Sequence, residues 1–238
     1  MGLHQLDRVG ETMTDSIPMN DAETAPNSMQ LRKRDTRPLQ SPGDVLTFWF
    51  DDVATNPAKL KERNKFWWNG GDDVDRLIAS RCLELLARLA SGEAEEWSSR
   101  GPAERLAAIV ALDQFTRNIF RNQSYAFEND ELALQICKEG IASGADKVLS
   151  PVKRWFFYLP LEHSENLADQ DQCVLLFSDL LSETDDIYHD TIENALDFAK
   201  SHREVIYQFG RFPHRNKALN RRSTPAELKY LAQPGAGF

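Results

Sequence analysis

"PAERLAAIVALDQFTRNIF", residues 102–120, opens on a proline suited to a first helical turn and continues without a break signal. Leu106, Val110, Asp113, Arg117 and Phe120 step by four, three, four and three, which places them on one stripe of an α-helix. Ile109, Leu112, Phe115 and Ile119 cover the opposite side. A helix apolar nearly all round belongs inside a protein. Yet Asp113, Arg117 and Arg121 recur at i, i+4 and i+8. Buried charges are costly unless they are paired and hydrogen-bonded. Either these three form a structural ion-pair network, or the arginines face an internal cleft.

Working outward, every patterned stretch is helical and no alternating strand stands out. "GDVLTFWF" (43–50) reads as a short aromatic helix. "DDVDRLIASRCLELLARLASG" (72–92) carries Leu77, Cys82, Leu85, Leu86 and Leu89 at helical spacing, with Gly92 suited to the C-terminal cap. Residues 128–144, 167–181 and 187–209 are further amphipathic helices, the last stopped by Gly210 and Pro213. In "TPAELKYLA" (224–232), Thr224 and Glu227 form a capping box around Pro225. The expectation is an all-α domain of about eight helices over residues 43–238, with no fixed-period repeat signature. Residues 1–42 are polar, irregular and proline-punctuated, and read as a disordered tail with a solvated charge run, "LRKRDTR".

Composition narrows the functional classes. The 238 residues are 41% hydrophobic and 27% charged, enough apolar material for a substantial core. A net charge of −9 argues against nucleic-acid binding, which needs a positive surface. No apolar run reaches the ~18 residues of a membrane span, and no signal-peptide core follows Met1, so the expected location is cytoplasmic. Cys82, Cys137 and Cys173 are far apart in apolar helical contexts and read as reduced core residues, with no metal or cofactor motif around them.

Two further charged clusters stand out. "RWFFYLPLEHSENLADQ" (154–170) surrounds an apolar run with Arg154, Glu162, His163, Glu165 and Asp169. With Pro160 as a helix start, Glu162 and Glu165 share a face and Asp169 follows one turn later. Its spacing is not that of a HExxH zinc site. "YQFGRFPHRN" (207–216) gathers Arg211, His214, Arg215 and Asn216 within a chain segment, 205–226, that has no acidic residue. Guanidinium forks and an asparagine side chain suit carboxylate or phosphate oxygens. The alternative is that Arg211 and Arg215 brace the acids at 162–169.

"LDQFTRNIFR", "AFENDELAL", "YLPLEHSENLADQ" and "FGRFPHRN" with "RRSTPAE" together resemble the domain-of-unknown-function family 924. The resemblance covers roughly residues 44–238 and implies one all-helical, tetratricopeptide-like domain, with no established activity to carry over. Its charged motif positions fall here on Asp113, Gln114, Arg117, Asn118, Arg121, Glu162, His163, Glu165, Gln170, Arg211, His214, Arg215 and Asn216. Asn220 stands where the family usually has glycine, and Val74 where an aromatic is common.

Three functional readings follow. In the first, Asp113, Arg117, Arg121, Arg211, Arg215 and Asn216 line a cleft that binds the carboxylate or phosphate of a small molecule or peptide. In the second, the cleft belongs to a small-substrate hydrolase, with His163 or His214 as base and Glu162 or Glu165 orienting it. In the third, the charged motifs specify the fold alone.

Overall fold

The structure, a computed structural model, describes residues 37–237. Its elements are helical throughout, with no strand among the described residues. Helix α1 (Pro42–Phe50) starts on a capping box: Ser41 accepts from the Asp44 amide, and Asp44 accepts from the Ser41 amide at 2.9 Å. Then come α2 (Leu60–Asn69), α3 (Gly71–Arg88) and α4 (Ala94–Arg100). Helix α5 has three parts: Pro102–Ile109, a π-helical stretch Val110–Phe115, and Thr116–Ile119. Helices α6 (Asp130–Ala142), α7 (Pro151–Glu162), α8 (Leu167–Ser182), α9 (Asp186–Phe209) and α10 (Pro225–Leu231) complete the chain.

Consecutive helices pack on one another, α4 on α5, α7 on α8 and α8 on α9, which is consistent with a tetratricopeptide-like arrangement. The core is centred on α7, whose residues from Arg154 to Glu162 are all buried. Around it Trp49, Phe50, Phe66, Trp67, Phe115 and Phe156 meet edge to face, Trp67 and Phe156 at 4.6 Å between ring centroids. Such pairs add about 0.5–1.5 kcal/mol each beyond their burial. The three cysteines are free and buried, as expected of core residues. Among the described residues no helix is long and apolar enough to cross a membrane.

Four sequence expectations are corrected. The packed chain begins before residue 43: Leu39 is buried and its amide donates to the Arg81 carbonyl at 2.9 Å. The expected tail otherwise falls on residues 1–36, outside the described ones. Helices α2 and α4 were not among those expected from periodicity, because each is short and carries a mixed polar face. Pro160 lies in the last turns of α7 and does not start a helix. Helix α7 starts at Ser150-Pro151, where proline occupies the first turn, and burial of 154–162 on every side leaves little apolar stripe to carry the helix on to Pro160. Glu162 therefore ends α7, Glu165 sits in the connection, and Asp169 opens α8. Lastly, the π-helical stretch widens the turn at 110–115 and α5 ends at Ile119, which breaks the i, i+4, i+8 row before Arg121.

The end of α9 follows the expected pattern. Gly210 adopts φ 67°, the left-handed conformation that glycine enters without strain, and its amide donates to the Ile206 carbonyl at 2.8 Å. A 3-10 turn at Pro213–Arg215 then carries His214 and Arg215 back toward α7. Asn220 takes φ 52°, in keeping with asparagine replacing a glycine there.

Candidate functional site

A cleft of about 930 Å³ opens between α2, α5, the end of α7, α9 and the 213–215 turn. That volume suits a small-molecule ligand. One side is aromatic: Trp67, Trp68, Trp155 and Phe198 line it. The exposed Trp68 stacks on Phe156 with ring planes 3° apart. The exposed Lys61 and Lys65, one turn apart on α2, stand on the same lining. The polar end is formed by Gln114, Arg117, Glu162, His163, His202, His214 and Arg215.

Asp113 organises that end from behind. It is 1% exposed, and His163 Nδ1 lies 2.7 Å from its Oδ1. Gln114 Nε2 donates to its Oδ2 at 2.6 Å, and Arg117 pairs with Oδ1 at 2.9 Å. Burial pushes the Asp113 carboxyl up, but the Arg117 charge and His163 together hold it well below the usual carboxylate range. Burial, then Arg117, pull the His163 imidazolium pKa below its ordinary value against the opposing effect of Asp113. His163 is thus neutral near pH 7, with Nδ1–H donating to Asp113 and Nε2 left as the basic nitrogen. Sequence reasoning had offered Glu162 or Glu165 as its orienter; the contact belongs to Asp113.

Glu162 is the reverse case. It is 5% exposed, and its Oε2 has no hydrogen-bond partner. Burial, reinforced by the Asp113 charge, pushes its carboxyl up to about 8, so it holds a proton at neutral pH. Its Oε1 lies 3.2 Å from His202 Nδ1, which is also 2.8 Å from the Phe198 carbonyl. Burial takes His202 down to about 3, so this contact joins two neutral groups and is not an ion pair. Burial and the Arg215 charge take His214 down to about 4.

The two guanidiniums are matched by two carboxylates. Arg117 bridges Asp113 and Asp130, with contacts of 2.9 Å to each. Arg215 reaches Asp130 at 3.4 Å and donates to the His163 carbonyl at 2.9 Å. Its guanidinium lies between the Phe127 and Phe212 rings, 4.7 and 4.5 Å from their centroids. Burial lowers Arg215 to about 10, which leaves it charged. The polar end is therefore close to neutral, and elsewhere on the lining Lys61 and Lys65 outnumber the one carboxylate, Asp190.

Other expected site residues lie elsewhere. Arg121 is on the rim, held bidentate by Asp75 at 2.7 and 2.9 Å. Arg211 stands outside the cleft lining and forks onto Glu227 at 2.6 and 2.9 Å. Asn216 is buried and receives Arg221 Nε at 2.9 Å while donating to Ser223. Glu165 is clamped by Arg221 at 2.6 and 2.9 Å and accepts from the Phe212 amide. Arg211, Asn216 and Glu165 fasten the segment after Gly210. Sequence reasoning did not place Lys61, Lys65 and Trp68 in a site. The signal was "KFWWN" at 65–69, where adjacent tryptophans on one helix must point in different directions. His189, Asp190 and Glu193 bring exposed ligand atoms within 4.8 Å of one another at the start of α9, away from the buried polar end.

The sequence model of a family described as "Bacterial protein of unknown function (DUF924)" matches residues 45–235. The chain belongs to this family. The match runs from α1 past α10, so the DUF924 region holds both the Asp113–His163 contact and Glu162. A solved structure, "Protein of Unknown Function ATU0120 from Agrobacterium tumefaciens", is similar to this DUF924 chain at 32% identity and a TM-score of 0.61. The likeness covers 76% of this chain and 99% of that one. No curated protein matches the chain.

Proposed function

We propose that the cleft binds a small molecule, or the end of a peptide, in which a carboxylate or phosphate is joined to a flat apolar group. The observation that carries this reading is the placement of one exposed tryptophan, Trp68, on the same lining as two exposed lysines. Trp68 is 46% exposed, with one ring face on Phe156, so its indole offers a flat apolar surface on the lining for a ligand ring to stack on. Asp113 and Asp130 offset the guanidinium charge deeper in, whereas Lys61 and Lys65 on α2 are exposed, so the anionic end rests near α2. Arg211, Asn216 and Glu165 have a structural role in this account.

Titration with 4-phenylbutyrate and with phenyl phosphate, read by tryptophan fluorescence, tests the proposal. The expected result is saturable quenching, weakened about tenfold in a Lys61→Gln/Lys65→Gln variant and insensitive to Arg211→Gln. No saturable change with either probe would contradict it. A second reading, acid–base catalysis in the same cleft, is favoured by the 2.7 Å contact between Asp113 and His163.

A further inference from the structure

We propose that the cleft hydrolyses a carboxylic ester that also bears an anionic group, with His163 activating water and Glu162 protonating the departing oxygen. The inference rests on the binding reading above and adds a reaction to it. His163 is fixed by Asp113 through Nδ1, so its Nε2 is the nitrogen available as a base. Glu162, the preceding residue, is an almost fully buried acid whose Oε2 lacks a partner. The two groups have opposite protonation roles within one cleft lining.

Water is assigned as the nucleophile because hydroxyl and thiol side chains are nearly absent from the described lining. Among the described lining residues the one hydroxyl is that of Thr191, and there is no thiol. Thr191 lies eleven residues before His202 on α9 (202 − 191), about 16 Å along the helix at ~1.5 Å per residue. His202 in turn is 6.3 Å from His163 between ring centroids, so Thr191 is remote from the base. An acyl group fits better than a phosphoryl group. With Arg117 and Arg215 already balanced by Asp113 and Asp130, no surplus charge remains at the polar end to offset a phosphoryl transition state.

In the reaction, His163 Nε2 removes a proton from water as its oxygen bonds to the acyl carbon. Gln114 and Arg117, both already hydrogen-bonded to Asp113, line the same polar end, and the tetrahedral oxyanion takes the N–H groups those bonds leave over. The acyl carbon–oxygen bond then breaks, and Glu162 gives its proton to the alkoxide. Transfer of the His163 proton back to Glu162 through solvent restores both groups. One ester and one water give one acid and one alcohol, with no acylated side chain.

The test uses the full chain with two hemisuccinate monoesters, 4-nitrophenyl and benzyl, and with N-benzylsuccinamic acid as a non-ester binding probe. Saturable hydrolysis of both esters is expected, and His163→Gln should lower kcat about 100-fold or more. Glu162→Gln should cost little with the nitrophenyl ester, whose leaving group needs no proton, and about 100-fold with the benzyl ester. Affinity for the succinamic acid should stay within about threefold in both variants. Equal losses on the two esters would overturn the role of Glu162, and that comparison stands even if His163→Gln does not fold. Binding of the amide without hydrolysis of either ester would overturn the reaction and leave the binding reading intact. Absence of amide binding would overturn both.

Discussion

The Nδ1 of His163 lies 2.7 Å from Oδ1 of Asp113, fifty positions earlier in the chain (163 − 113), and that contact ties the end of α7 to the π-helical stretch of α5. Asp113 also pairs with Arg117, so its removal leaves that guanidinium with Asp130 alone and takes away the acceptor of His163. Asp113→Asn is expected to destabilise the fold by about 3–5 kcal/mol, the usual effect of breaking a buried pair on one side. Urea denaturation measures it. The same variant should disturb the fixed His163 tautomer in nitrogen NMR spectra. A loss below about 1 kcal/mol with the tautomer intact would show that Asp113 does not organise the site.

Stability should be highest near pH 6.5 as far as the cleft groups decide it. His202 and His214 have folded values of about 3 and 4, below the ordinary 6.5, so the unfolded chain binds more protons as pH falls through that window. Stability is therefore lost on acidification below pH 6.5. Glu162 works the other way. Its folded value of about 8 exceeds the ordinary 4.5, so the folded chain holds the extra proton and stability declines as pH rises from 4.5 toward 8. Melting temperatures across pH 6.5–8 should fall in the natural chain and flatten in Glu162→Gln. An unchanged slope in the variant would place the titration elsewhere.

The segment after Gly210 should loosen independently of the cleft. Glu227 caps α10, receives the Arg211 fork and contacts Asn216 at 3.3 Å. Glu227→Ala is expected to cost about 1–3 kcal/mol, combining a lost cap with unpaired donors. Hydrogen exchange should quicken first over residues 211–231. Protection unchanged there, with loss centred on α7, would contradict the bracing role given to Arg211 and Glu227.

Close packing makes a further prediction at Gly140 on α6. A Cβ there would lie 2.5 Å from Phe157 Cζ and 2.6 Å from Arg105 Cδ. Gly140→Ala should destabilise by about 1–3 kcal/mol through overpacking, although alanine favours helices. A stabilised variant, seen as a raised melting temperature, would mean that α6 and α7 can part at little cost.

Much of this architecture was legible in the sequence where local signals are strong. Gly210 and Pro213 marked the end of α9, and Thr224 with Glu227 marked the start of α10, because caps act within a few residues. The buried charges of α5 pointed to Asp113 and Arg117 because a charge on an apolar helix needs a partner. What stayed hidden depends on distant contacts. Nothing local tells that Arg121 will find Asp75, or that Glu165 will serve Arg221 and not His163. The π-helical stretch, and Pro160 within a helix buried all round, depart from the 3.6-residue rule on which periodicity rests.

The most direct test of the cleft as a binding site is a crystal structure of the protein with 4-phenylbutyrate. The ring should stack on Trp68 at a centroid separation of about 4.5–7 Å, with the carboxylate turned toward Lys61 and Lys65. A fully ordered cleft left without the probe at saturating concentration, or the probe bound only at another surface, would contradict the account.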